Sequence, residues 1–158
     1  MKTRKFTMGM TALALMSAMV LPVSAADKQE TVLTTKVDSE FTLTIPMTQA
    51  IDFGTTSKEI GEVKVVGNIN PDEKVVLTVG KTELVSEKDS KDIIKYALQS
   101  SNTDFTGAEW TEDDLRLASP ATYPLTVVID SQAWKEAHAG SYASTITFTA
   151  ETKTVTQP

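Results

Sequence analysis

The sequence predicts an all-β domain, an antiparallel β-sandwich of roughly seven to nine short strands. Three observations predict it. Apolar and polar residues alternate at period two through most of the chain, as in Phe41-Thr42-Leu43-Thr44-Ile45, which marks strands with one buried face. Val, Ile and Thr dominate these runs, as strands prefer. Turn-forming residues separate them, and no repeat of solenoid or propeller length is visible.

Thr31 to Val37 reads as a loose first strand, before the cleaner Phe41–Ile45. Val63-Lys64-Val65 and Val75–Val79 then flank Gly67-Asn68-Ile69-Asn70-Pro71-Asp72, a turn-rich connection. In Asp92–Gln99, Ile94, Tyr96 and Leu98 alternate, although Ile94 and Leu98 also stand four apart. Its strand neighbours favour a strand here. Tyr123, Leu125, Val127 and Ile129 share one face of a further strand. Tyr142, Ser144, Ile146 and Phe148 share a face of the last, with Thr145, Thr147 and Thr149 opposite. Ser131–His138 is the one segment with helical character, capped by Ser131 and stopped by Gly140. A short helix there would close one end of the sandwich, with Trp134 as a plug.

The N-terminus carries a different signal. Lys2, Arg4 and Lys5 precede an apolar stretch from Phe6 to Val20, then Leu21-Pro22-Val23-Ser24-Ala25-Ala26. A basic start, a short apolar run and small residues at its end read as a secretory signal peptide. Residues 1–25 are therefore expected to be removed, which leaves 26–158 as a single domain. The apolar run is shorter than the roughly 20 residues that span a bilayer as a helix. No second such run follows, so no membrane span is expected after cleavage. Nothing at the C-terminus reads as a sorting signal, so release, or retention at the surface by non-covalent contacts, is expected.

Fifteen Lys+Arg face 21 Asp+Glu, a formal charge of −6. The leader holds three of the cations and no anion, so the mature chain has 12 against 21, or −9. A net negative surface without a basic patch argues against nucleic acid as a partner. Cysteine is absent, which rules out disulfides, thiol catalysis and thiolate metal sites. The mature length suffices for a core without covalent staples.

Several phrases carry a family resemblance. They are Ile45-Pro46 with Ile51-Asp52-Phe53-Gly54, then Gly61-Glu62-Val63-Lys64-Val65-Val66-Gly67-Asn68. The strongest is Trp134 followed by Ala139-Gly140-Ser141-Tyr142 and the alternation to Thr149. These resemble the secreted immunoglobulin-like β-sandwich domains of Gram-positive cell-surface proteins. The phrasing is also similar to proteins with a WxL cell-wall-binding domain and, more loosely, to pilus-type sandwiches. Trp110 and Trp134 lie in Glu-Trp-Thr and Ala-Trp-Lys, so neither forms Trp-x-Leu, and wall attachment by that motif is not implied. The resemblance implies an immunoglobulin-like fold and a place at the bacterial surface.

Catalytic constellations are hard to find. His138 is the only histidine and would have to be the base of any Ser-His-Asp relay. No Gly-x-Ser-x-Gly marks a nucleophile, so His138 reads as a solvated residue before the Gly140 turn. Glu109, Glu112, Asp113 and Asp114 cluster around Trp110. Carboxylates beside an aromatic would suit glycoside hydrolysis or calcium, but EF-hand spacing and its glycine are missing. The cluster reads first as a solvated polar loop. Within it Trp110 is the best candidate for an exposed ligand contact, flanked by Glu109 and Asp113. Asn68-x-Asn70-x-Asp72 mimics oxygen-ligand spacing but reads as a turn, since Pro71 interrupts it.

The expected function is a non-enzymatic structural or adhesive domain, secreted or at the cell surface, without a cofactor. Its partner would be a cell-wall or host glycan, or a protein. Two alternatives stand beside it. One is a fibre or pilus subunit that self-assembles by β-strand addition through Thr31–Val37. The other is a carbohydrate-binding module that uses Trp110.

Overall fold

The computed structural model describes residues 31–155 and the backbone of Arg4–Lys5. The rest of the expected leader and its cleavage site lie outside the described residues. The fold is all-β, and every strand pair is antiparallel. No described helix is long and apolar enough to cross a membrane.

The largest sheet is built on β3 (Ser57–Asn68) and β10 (Thr122–Val128). β2 (Glu40–Thr44) pairs with the outer side of β3, and β1 (Arg4–Lys5) with β2. On the other side of β10 lie β7 (Ala97–Ser100) and β8 (Thr103–Asp104). Ser101 and Asn102, both at positive φ, join those two strands in the manner of a two-residue hairpin turn. A second sheet has the order β12-β4-β9, from Ile146–Thr154, Glu73–Lys81 and Gly107–Thr111. A third, small sheet sets β5 (Leu84–Ser86) between β11 (Tyr142–Ala143) and β6 (Ile93–Ile94). Among the described residues there are two short helices, α1 (Glu112–Arg116) and α2 (Ser131–Glu136).

One apolar core draws on the two larger sheets. Val63 and Val65 of β3, Leu125 and Val127 of β10 and Leu98 of β7 meet Val75 and Leu77 of β4 and Trp110 of β9. The alternation in β10 is as expected, with Leu125 and Val127 buried and Tyr123 half-buried, and it continues to the buried Ile129 just after the strand. β3 is less regular. Ile60, Val63 and Val65 are all buried although 60 and 63 differ in parity. The register against β10 slips by one residue here, from Leu125 opposite Gly61 to Thr126 opposite Glu59. This extra residue is a β-bulge, and Gly61 holds it at φ +123°, a region side chains rarely enter.

Four expectations are corrected. Thr31–Val37 forms no strand, and all seven residues are exposed. A strand needs a neighbour, and this segment has none among the described residues. The acidic stretch is not a loop, for Gly107–Thr111 is strand β9 and Glu112–Arg116 is helix α1. The last strand is not one strand but two, β11 and β12, in different sheets. Its alternation survives, yet Tyr142, Ile146 and Phe148 are only half-buried against the core. The helix at 131 forms as expected, but its cap is Asp130, whose Oδ1 accepts from the Gln132 N–H at 2.7 Å.

The split of the last strand is one of three matching breaks. β4 gives way to β5 at Thr82-Glu83, β6 to β7 at Lys95-Tyr96, and β11 to β12 at Ser144-Thr145. At each break the chain passes between the small sheet and a larger one. The breaks meet in space. Ser144 Oγ donates to the Thr82 carbonyl at 2.7 Å and lies 2.8 Å from the Tyr96 hydroxyl. Thr82 Oγ1 accepts from the Thr145 N–H at 3.0 Å, and Glu83 accepts from the Tyr96 N–H at 3.2 Å. Side chains thus satisfy backbone groups where the ladders stop, as part-buried polar groups require.

Candidate functional site

Trp110 is fully buried, which corrects its reading as an exposed contact. It lies on the inward face of β9, opposite Val75 of β4. Its ring meets Tyr123 edge to face at 5.4 Å, and Nε1 donates to the Ala121 carbonyl at 3.0 Å. Its two exposed neighbours, Glu109 and Asp113, are not brought together with it at any surface. Glu109 faces outward from β9 and pairs with Lys74 across the strand at 2.7 Å. Asp113 is exposed in the first turn of α1.

The remaining carboxylates have local partners. Thr111 caps α1, and its hydroxyl accepts from the Asp114 N–H at 3.2 Å. Asp114 returns the bond, accepting from the Thr111 N–H at 2.8 Å and from its hydroxyl at 2.7 Å. These bonds hold the Asp114 carboxyl below its usual range. Glu112 is buried against the helix and paired with Arg116 one turn on. Acidic residues in a first helical turn complement the helix dipole. Thr-x-x-Asp is a capping-box pattern, the signal that would have disclosed α1. Among the described residues no three His, Cys, Asp or Glu are grouped as a metal would need.

A different site emerges between β12 and the segment 45–53. An open, mainly apolar groove of about 1110 Å³ lies there. It is lined by Ile60 and Val127 of the large sheet, Ile146 and Phe148 of β12, and Ile45 and Ile51 of the segment. The segment packs at the bulge, where a β-carbon built at Gly61 would touch Pro46 at 3.5 Å. Its far end is tied to α2. Trp134 Nε1 donates to the Thr55 carbonyl at 2.9 Å, and Phe53 meets the Trp134 ring edge-on at 5.5 Å. Phe53 itself is 82% exposed. Sequence reasoning missed this site because residues 45–53 have no period to read; only Ile45, Ile51 and Phe53 in an aperiodic stretch hint at it.

The groove has a free hydrogen-bonding margin. β12 pairs with β4 over its whole length, from Ile146 opposite Lys81 to Thr154 opposite Glu73. On its other side no strand lies among the described residues. The half-buried Ile146, Phe148 and Ala150 face the core, and Thr147 and Thr149 face away. A wet sheet edge beside an apolar trough offers backbone bonds and apolar contact together.

At one end of the groove Tyr142 donates its hydroxyl to Asp92 Oδ2 at 2.5 Å. His138 Nδ1 lies 3.2 Å from the same oxygen. Partial burial and then the Asp92 carboxylate push the Tyr142 hydroxyl above its ordinary pKa. The His138 side chain is 84% exposed and faces Asp92 rather than a serine. This cluster ties α2's exit to the β5–β6 connection.

No protein-family model matches the chain. No curated protein is significantly similar to it.

Proposed function

We propose that this chain is a non-enzymatic structural or adhesive domain, an immunoglobulin-like sandwich that works in secreted form or at the cell surface. It engages its partner as an extended polypeptide laid beside β12. The apolar groove at the Ile146–Phe148 end of that strand, whose outer edge has no strand beside it among the described residues, supports this reading. Strand addition at such an edge gains affinity from backbone hydrogen bonds, while the pockets beside it select alternate side chains. The basic, apolar leader supports the location.

The test uses the exported protein and fluorescent ten-residue peptides that alternate apolar and threonine residues, with sequence-scrambled controls, and in parallel a glycan array. Peptide binding that is lost in Phe148→Ser is the expected result. Binding to glycans alone would reject the peptide-docking reading in favour of a carbohydrate-binding module. Recovery of the protein only from the cytoplasmic fraction of its native cells would reject the location.

A further inference from the structure

We infer that the occupant of this groove is the segment Thr31–Val37 of a second copy of the chain, added antiparallel to β12. The inference rests on the peptide-docking reading and names its partner.

The segment has the properties such an occupant needs. Five of its seven residues, Thr31, Val32, Thr34, Thr35 and Val37, are β-branched, which suits a strand. It is nonetheless left bare, with Val32 82%, Leu33 90% and Val37 66% exposed. Apolar residues so exposed in a run mark a contact surface. At about 3.3 Å per residue, seven extended residues reach roughly 23 Å, enough to cover seven of β12's residues.

The register follows from the alternation. With Leu33 beside Ala150, Thr35 falls beside Phe148 and Val37 beside Ile146. All three then lie on the face of β12's own inward residues, with Val37 and Thr35 at the groove and Leu33 beyond it. The largest segment side chain meets the smallest in the strand, and the smaller Thr35 meets Phe148. Lys36 falls outside, beside Thr147. A shift by one residue would turn Leu33 and Val37 to the outward face of β12.

The attachment point of the segment favours a second copy over the chain's own. Ser39 Oγ donates to Glu73 Oε2 at 2.5 Å and accepts from the Asn70 N–H at 3.0 Å. Glu73 stands opposite Thr154, the last residue of β12. The chain's own segment therefore starts from the C-terminal end of β12 and could lie along it only in parallel. Parallel pairing is slightly weaker per residue, and the described conformation does not adopt it. A second copy can enter antiparallel. Because donor segment and acceptor edge are different surfaces, the contact is heterologous and repeats head to tail.

The chain has no cysteine, so an introduced pair reports without background. The exported protein is prepared as K36C and as T147C, both exposed positions, and the two are mixed and mildly oxidised. Neighbouring β-carbons on paired strands come close enough for a disulfide. A mixed disulfide-linked dimer is expected, with neither variant alone dimerising to the same extent. The double variant should give a ladder of oligomers on a non-reducing gel. Adding Leu33→Asp and Val37→Asp should abolish both products without shifting the thermal midpoint, since these side chains are solvated in the monomer. A monomer with an internal disulfide in the double variant would overturn the inference in favour of self-closure. No cross-link, with alternating peptides still bound, would overturn the second-copy assignment and leave the peptide-docking reading intact. Loss of both would overturn both.

Discussion

Replacing Trp110 separates the structural and ligand-binding accounts of the acidic region. The side chain is fully buried between β9 and the large sheet. A Trp→Ala change in such a place costs about 3–5 kcal/mol. Part of that sum is the edge-to-face contact with Tyr123, about 0.5–1.5 kcal/mol. Another part is the indole bond to the Ala121 carbonyl, about 1 kcal/mol. Trp110→Phe keeps most of the ring contact but leaves that carbonyl without its donor, so about 1–3 kcal/mol is expected. Domains of this kind are stable by about 5–15 kcal/mol, so Trp110→Ala should still fold over most of that range, with a much lower urea midpoint. Glu109→Ala is the internal control. It breaks an exposed ion pair with Lys74 and should change stability by under about 1 kcal/mol. Urea titration followed by far-UV circular dichroism, with a common m-value, gives all three numbers. A Trp110→Ala protein within about 1 kcal/mol of wild type would refute the argument, because a side chain that central cannot be removed so cheaply.

The other predictions address the bulge, the cap and the groove wall. Gly61→Ala should lower stability by about 1–2 kcal/mol. Its added β-carbon meets Pro46 only at ordinary contact distance, so backbone strain is the cause, and an equilibrium urea midpoint unchanged from wild type would contradict it. Thr111→Ala should cost about 1 kcal/mol at neutral pH through loss of the cap. Since Thr111 lowers the Asp114 pKa, that carboxylate stabilises the fold above its unfolded value near 3.8. This stabilisation is lost as pH falls through the depressed folded value. The gap between wild type and Thr111→Ala should therefore narrow in acid, and a gap that widens below pH 4 would reverse the sign and refute the linkage. Phe148→Ala should cost less than Leu125→Ala, because Phe148 is half-exposed in the groove whereas Leu125 is fully buried. With Leu→Ala in a core at about 2–5 kcal/mol, equal or reversed losses in thermal unfolding would show that the groove is closed in solution.

The legible parts of the fold are those where local pattern and burial coincide. Leu125, Val127 and Ile129 alternate in the sequence and are buried in the structure. Ile94, Tyr96 and Leu98 do the same even though the chain changes sheets between them. Alternation reports which face looks inward; it carries no record of which neighbour a strand pairs with. That is why β11 and β12 read as one strand, and why Thr31–Val37, with good strand residues, was expected to be one. Gly107–Thr111 was misread for a related reason. Glu109 and Thr111 flank Trp110 on the outward face, so a strand with one buried aromatic looked like a polar loop. The groove was illegible because its walls come from segments about a hundred residues apart, and one of them has no period.

The strand breaks border the groove, for Leu84, Tyr96, Ser144 and Thr145 line it. The partner stays beside the strand across the break, for β4 pairs with β12 and β5 with β11, the register shifting by one residue from Ile146 opposite Lys81 to Tyr142 opposite Ser86. At Thr82-Glu83, and at Ser144-Thr145 opposite, the two segments pass together between the second sheet and the small one. Tyr96 marks the same departure from the large sheet, and its hydroxyl joins Ser144 at the crossing. β12 stands at the margin of the second sheet, with Ile146 next to the break. On the large sheet the Gly61 bulge switches parity so that Ile60 faces inward beneath that margin. The bulge thus sets Ile60 with Ile146 and Phe148 in the groove, beside an edge that has no neighbouring strand among the described residues. The polar network at the breaks is what fixes this geometry, because Thr82, Ser144 and Glu83 satisfy the backbone groups that a continuous ladder would have used.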